Sequence, residues 1–483
     1  MAAPPRSFNS AASPPRWLIE RWRQQDQWVR FAVVAIALAP FLLAFNPNAG
    51  YLFFAICVAA PFFLPQEFAL ATVIVALLAL SLHAGFNRTY VDVLRFVILI
   101  VGSAVLVWRS SRVQIRFPAT SRTLFYGGFS CHIAVALIST IVSDAPLLTF
   151  AKVLLLIACW AACSAVVGTI VGQHGSKAAE RISNALTLLI GPFLLASLFV
   201  YPLSRLPATG QTFTTSGFRG LTANPNSLGV CAALMAPLLM AHFARKTTAW
   251  TQFDLARALG VVGLVFLVVV SQSRASGLAL VTSVFVLVVL LPRSRLLKYY
   301  ILAAYLCLCI VVTNPYSYAE LAQKWIYKGA TTDELFVSRA ELWRNAQETF
   351  EERSLLGRGY GITTAREAEF STVRKYFLIK VELGSSFWAL LTQVGILGFL
   401  PLALGLLDLL IRSAKFAARV KDPHLTAILA VVAGLLANSI FEAWIVAPGS
   451  GLLWVLLTFC ALIDAVLSRM KAGRLGSTYP HFA

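Results

Sequence analysis

The sequence predicts an all-α polytopic membrane protein of about fourteen transmembrane helices (roughly 12–14) with one large loop outside the bilayer. Three observations carry that expectation. Of 483 residues 58% are hydrophobic and only 13% are charged. Apolar runs of span length recur from one end to the other, and basic connections alternate with connections poor in charge. A soluble core of this size needs a polar coat that so few charges cannot supply, whereas lipid solvates apolar side chains directly.

A helix needs roughly 20 apolar residues to cross the hydrocarbon, with about 17–25 tolerated. On that basis spans fall near 31–46, 50–65, 67–85, 91–108, 123–143, 146–172, 183–203, 227–244, 256–272, 275–292, 298–313, 386–411, 424–446 and 450–468. The positive-inside rule orients them. With the N-terminus in the cytoplasm, segments 109–122, 245–255, 293–297 and 412–423 and the tail carry the excess of Lys and Arg. The alternate connections 46–49, 144–145 and 447–449 have none. Both termini are then cytoplasmic. The chain divides into a basic tail (1–30), eleven spans (31–313), a loop subdomain (314–385), three spans (386–468) and a second tail (469–483).

The same distribution excludes a nucleic-acid binder despite a net charge of +19, because such proteins gather their cations on one soluble face. All eight cysteines lie in apolar runs, so neither a disulfide framework nor a cysteine metal site is expected. The first thirty residues are rich in Pro and Arg without an apolar core, which predicts no cleavable signal peptide.

Within the loop, ten Lys/Arg balance ten Asp/Glu. Residues 337–361 predict a helix there: Ser338 and Glu341 match a capping box, and Leu342, Ala346 and Phe350 form an apolar stripe beside Trp343. Gly357, Gly359 and Gly361 are expected to end it with a flexible backbone. Arg339 would sit in the first turn, where the helix dipole favours an anion.

Arg95, Lys152, Arg219, Arg274, Arg339 and Arg358 approach membrane depth toward the outer side. Ionisable groups there are costly and default to a functional reading. The plain alternative is snorkelling to headgroups or pairing with Asp92, Glu442 or a loop acid. Arg219, Arg274 and Arg339 come from three segments against the charge bias, which asks for an anionic partner. Guanidinium forks bind phosphate bidentately, so a lipid pyrophosphate suits them. The Asn224-Pro225-Asn226 turn would fix the approach of Arg219.

The order "FRGLTANPNSLG" (218–229), "SQSR" (271–274), "SRAELWRNAQETF" (338–350), "LLGRGYG" (355–361) and "GSSFWALLTQVGILG" (384–398) resembles the O-antigen polymerase and ligase (Wzy/WaaL-like) superfamily. The resemblance implies a periplasm-facing glycosyltransferase in the bacterial inner membrane. It would take glycan from undecaprenyl pyrophosphate and join it to an acceptor glycan, using neither metal nor other cofactor. Membrane lipids and a chain-length regulator are the further partners implied. Carried over by position, Arg219, Arg274 and Arg339 would hold the pyrophosphate, with Asn224, Asn226, Arg358 and Ser385 completing the substrate-binding set.

One position departs from the family. Where many members carry a His-Asn pair after the loop, this chain has "VELGSSFW" (381–388) and no histidine. Glu382 is therefore the expected general base, since a carboxylate can take the acceptor proton. The departure favours a polymerase over a ligase joining glycan to lipid A-core. Three other classes compete less well. A lipid-linked glycan transporter would place its binding groups at mid-membrane on broken helices. A metal-dependent glycosyltransferase would want acids in the first outer loop, and a receptor or scaffold would tolerate loss of the arginines.

Overall fold

The computed structural model describes residues 27–45, 49–79, 88–113, 123–203, 213–214, 217–222, 224–244, 252–291, 337–362 and 384–471. Among them the helices are α1 Gln27–Phe45, α2 Ala49–Phe63, α3 Gln66–Ala79, α4 Arg88–Ser111, α5 Leu124–Ser139, α6 Pro146–His174 and α7 Ala178–Leu203. They continue with α8 Pro225–Ala244, α9 Gln252–Val270, α10 Arg274–Leu290, α11 Val337–Glu352, α12 Ser386–Val420, α13 Pro423–Asn438 and α14 Gly451–Lys471. A two-residue antiparallel ladder joins β1 Phe213–Thr214 to β2 Gly217–Phe218. Thirteen of these helices overlap predicted spans, and α11 is the helix read within the loop. The predicted span at 298–313 and most of both tails and of the loop lie outside the described residues.

Several helix starts follow from local chemistry. Thr123 caps α5 by accepting from Tyr126 N, and Asp422 caps α13 by accepting from His424 N (2.9 Å) and Leu425 N (3.3 Å). Pro423 then fills the first position of α13, where a missing N–H costs nothing. By length and composition five helical stretches are apolar enough to cross a bilayer, and five further helices are apolar but shorter. This is a multi-pass membrane protein.

α14 forms the buried post of the bundle, with Trp454, Phe459 and Leu462 inaccessible; a helix apolar on every side must be surrounded by others. Small residues let some neighbours approach closely: Gly128 of α5 meets the Pro401 carbonyl of α12, and Gly405 meets Phe125 in return. Phe63, Leu147, Phe199 and Phe285 remain exposed on the outside, where lipid is the natural solvent.

Two apolar segments depart from the expected spans. The stretch predicted to run to 446 is helical only to Asn438, and residues 439–450 fold back as an irregular segment. Its backbone is satisfied by side chains: Ser386 Oγ donates to the Glu442 carbonyl (2.6 Å) and accepts from Trp444 N and Ile445 N. Trp444 Nε1 also donates to Asn438 Oδ1 (2.9 Å). Apolarity alone cannot tell such a segment from the end of a helix.

The second departure is within α12, which breaks at Gly395 (φ 63°, ψ −172°). The loop's "SLLGRG" backbone fills the break. Arg358 N donates to Thr392 O and Gly359 N to Gln393 O, while Ser354 O and Leu355 O accept from Ile396 N and Leu397 N. Irregular backbone at this depth is stable only when protein replaces the missing water. The expected flexible glycines therefore do the opposite: Gly357, Gly359 and Gly361 have φ of 66°, 112° and 82° and pack tightly against α12, α6 and the turn before it.

Candidate functional site

A cavity of about 340 Å³ lies at the end of the bundle where α4, α6, α8, α12 and α14 begin. Its polar lining includes Arg95, Lys152, Asn224, Asn226, Asn438 and Glu442. The first turn of α8 builds one wall. Asn224 Oδ1 accepts from Ser227 N at 2.8 Å, Pro225 opens the helix, and Asn226 follows, so the Asn-Pro-Asn turn is a helix N-cap. Upstream, the Thr222 hydroxyl contacts both the Arg219 and Asn224 carbonyls, at 2.7 and 2.8 Å, which ties the Arg219 backbone to the cap.

The turn between α9 and α10 interlocks with this segment. Ser273 caps α10 by accepting from Ser276 N, and Ser276 Oγ donates to the Asn226 carbonyl at 3.3 Å. Gly217 of β2 lies against the Ser271 carbonyl, and Gly229 of α8 against the Ser271 and Ser276 hydroxyls. Arg219 and Arg274 are thus borne on two segments packed together, both half-buried. Burial pushes the Arg219 guanidinium below its ordinary pKa, because desolvation disfavours the charged form.

Arg95 and Lys152 carry the cations on the cavity wall. Lys152 Nζ donates to the Gly361 carbonyl (2.5 Å), and its stem lies where a side chain at position 361 would sit. Arg95 runs along Gly449, where an added Cβ would come within 2.6 Å of Arg95 Cδ. Glu442, also a lining residue, accepts through Oε1 from Asn226 Nδ2 at 2.7 Å.

The sequence-predicted residues fare differently. Asn224 and Asn226 line the cavity; Arg219, Arg274, Arg358 and Ser385 are not among its lining residues. Arg358 makes a charge pair with Glu352 and faces Asp144 at 4.0 Å, with its backbone in the α12 break. Its charge is engaged in holding the loop to the bundle. Ser385 is buried at the N-cap of α12. Arg339 lies in the first turn of α11, and its side chain falls outside the described residues, as does Glu382 entirely.

α11 docks through its apolar stripe: Ala346 is buried, Trp343 stacks on Phe441 (6.0 Å between ring centroids) and its Nε1 donates to Gly384 O. The loop helix therefore sits over the start of α12 and the segment that carries Glu442. Sequence reasoning gave Glu442 no role beyond pairing. The signal that could have raised it was an acid inside a predicted span.

The O-antigen ligase family model matches residues 259–403. No curated protein matches the chain. The resemblance drawn from the motifs is borne out over that stretch, which is similar to the O-antigen ligase family and supports the polymerase/ligase superfamily. The family supports an enzyme of surface-glycan synthesis acting on lipid-linked glycan. The matched stretch holds Arg274, Arg339, Arg358 and Ser385, whereas Arg219, Asn224, Asn226 and Glu442 lie outside it.

Proposed function

We propose that the protein is a membrane glycosyltransferase that extends undecaprenyl-pyrophosphate-linked glycan at the periplasmic face of the inner membrane. The observation that carries this reading is the interlocking of the Arg219 and Arg274 segments beside a cavity walled by Arg95 and Lys152. A pyrophosphate joining lipid to sugar is the anion that such a set of cations fits. Arg219, Arg274 and, from the loop helix, Arg339 hold it and stabilise the charge that develops as it leaves. The N-terminus of α8 adds backbone N–H groups of the same sign. Asn224 and Asn226 contact the sugar. The basic connections of the opposite end face the cytoplasm, as the positive-inside rule requires.

A transporter fits less well. The broken helix of α12, the feature that would suggest one, has its freed backbone bonded to the loop rather than lining an ion path. A ligase remains the second reading, because the matched family is described as O-antigen ligase. The test is the lipid-linked glycan in a deletion strain. Polymerisation is supported by single repeats accumulating on the carrier. Long polymer left on the carrier instead means ligation to another acceptor, and an unchanged glycan rejects both.

A further inference from the structure

We propose that Glu442 is the general base that takes the proton from the acceptor hydroxyl, in place of the loop acid Glu382 that the sequence suggested. This rests on the reading of the cavity as the glycan-transfer site. Among the described residues that line the cavity, Glu442 is the acid and none is a histidine. The carboxylate faces the same space as Arg95 and Lys152, so base and cations share one compartment.

Its orientation is fixed from two sides. Asn226 Nδ2 holds one carboxylate oxygen at 2.7 Å, and Ser386 at the start of α12 grips the backbone around it through the Glu442 carbonyl and the Trp444 and Ile445 N–H groups. A carboxylate has two oxygens and about four acceptor sites, so the Asn226 bond orients it while using one of them. The same Asn226 accepts from Ser276 of α10 through its carbonyl. Asn226 therefore links the base to the Arg274 helix, and Thr222 ties the Arg219 segment to the same helix cap through the Asn224 carbonyl, which is how reacting groups keep a common geometry.

The step balances without a co-reactant. The acceptor O–H gives its proton to Glu442, and the oxygen forms a bond to the anomeric carbon. The bond from that carbon to the pyrophosphate breaks, and its electron pair leaves with the lipid pyrophosphate. Glu442 then releases its proton to water.

Glu442→Gln keeps an oxygen for Asn226 and removes the base. In membranes holding the full-length chain, with lipid-linked glycan extracted from the deletion strain as donor, transfer should fall roughly 10²–10⁴-fold. The acid limb of its pH–rate profile should disappear, and binding of sugar-free undecaprenyl pyrophosphate should stay intact. A purely structural Glu442 would not move that limb. If the glutamine variant loses binding as well, Glu442→Ala with added formate decides: return of transfer with formate but not chloride supports the base. No return in a variant that still binds the lipid overturns it. Normal transfer by Glu442→Gln, above all alongside loss in Glu382→Gln, also overturns it. Should Arg219→Ala and Arg274→Ala keep full transfer, the donor reading itself fails; if they lose transfer and Glu442→Gln does not, only the base assignment falls.

Discussion

The two ends of the bundle hold their cations in opposite ways. At the end remote from the cavity, Arg109 in the last turn of α4 donates to Pro61 O and Leu64 O, at 2.5 and 2.6 Å, near the close of α2. Arg469 near the end of α14 reaches Val171 O and Gly172 O in the last turn of α6. Arg181 pairs with Glu67 (3.1 Å), and Arg412 with Asp408 and Asp464 at 2.7 and 3.2 Å. Arg109 and Arg469 meet carbonyls at helix ends, where the helix dipole favours positive charge. At the cavity end the placement reverses. Arg274 is the first residue of α10, Arg339 lies in the first turn of α11, and Lys152 is in the second turn of α6. Cations in a first turn, as Arg274 and Arg339 are, oppose the dipole at roughly 0.3–1 kcal/mol each near the surface. One end uses its arginines to finish helices; the other gathers cations around the starts of helices, the arrangement that the proposed anionic donor would offset.

The sharpest break of this contrast is at the cavity end. Arg219→Ala, and separately Arg274→Ala, should lower transfer about 10²–10³-fold with the protein still in the membrane, as expected for removing a charge-stabilising donor. Arg219→Lys should also be impaired, because an ammonium lacks the planar fork. Turnover per molecule of protein measures it, and full activity in either alanine variant would remove that arginine from the site.

An intermediate effect is expected where the loop enters α12. In Gly395→Ala the new Cβ meets the Leu355 carbonyl, at a backbone with φ of 63°. The strain should cost roughly 1–3 kcal/mol, seen as a lower unfolding temperature in detergent, with some loss of transfer because Lys152 depends on the same loop. An unshifted transition would mean that the break is not held by residues 354–359.

The smallest effect belongs to the remote end. Arg109→Ala leaves two carbonyls to water or to nothing, a loss of about 1 kcal/mol. It should reduce thermal stability slightly and leave turnover per folded molecule unchanged. A fall in turnover comparable to that of Arg219→Ala would erase the distinction between the two ends.

Much of the architecture was legible in the residues. Apolar run length located thirteen of the described helices, because lipid demands long uninterrupted hydrophobic segments. The loop helix was legible from its stripe: Ala346 is buried, Leu342 and Phe350 are partly buried, and Arg344, Gln347 and Glu348 are exposed. Less of the site could be read. Arg219 and Arg274 stood out as charges in unfavourable surroundings, yet nothing local marked Arg95 and Lys152 as the cations of the cavity wall. Arg358 looked equally available, and only Asp144 and Glu352, far apart in the chain, show its charge engaged.

The sequence by itself determined that this chain lives in lipid, where its helices run and which short polar turns interrupt them, because composition, periodicity and capping act over a few residues. Tertiary structure decided that Gly395 breaks α12 and is refilled by residues 354–359, and that the end of a predicted span becomes the irregular segment bearing Glu442. It also decided that Asn226 joins that carboxylate to the helix that begins with Arg274. Each of these rests on hydrogen bonds between groups tens to hundreds of residues apart. Such bonds have no local pattern to be read; they exist only once the helices are packed.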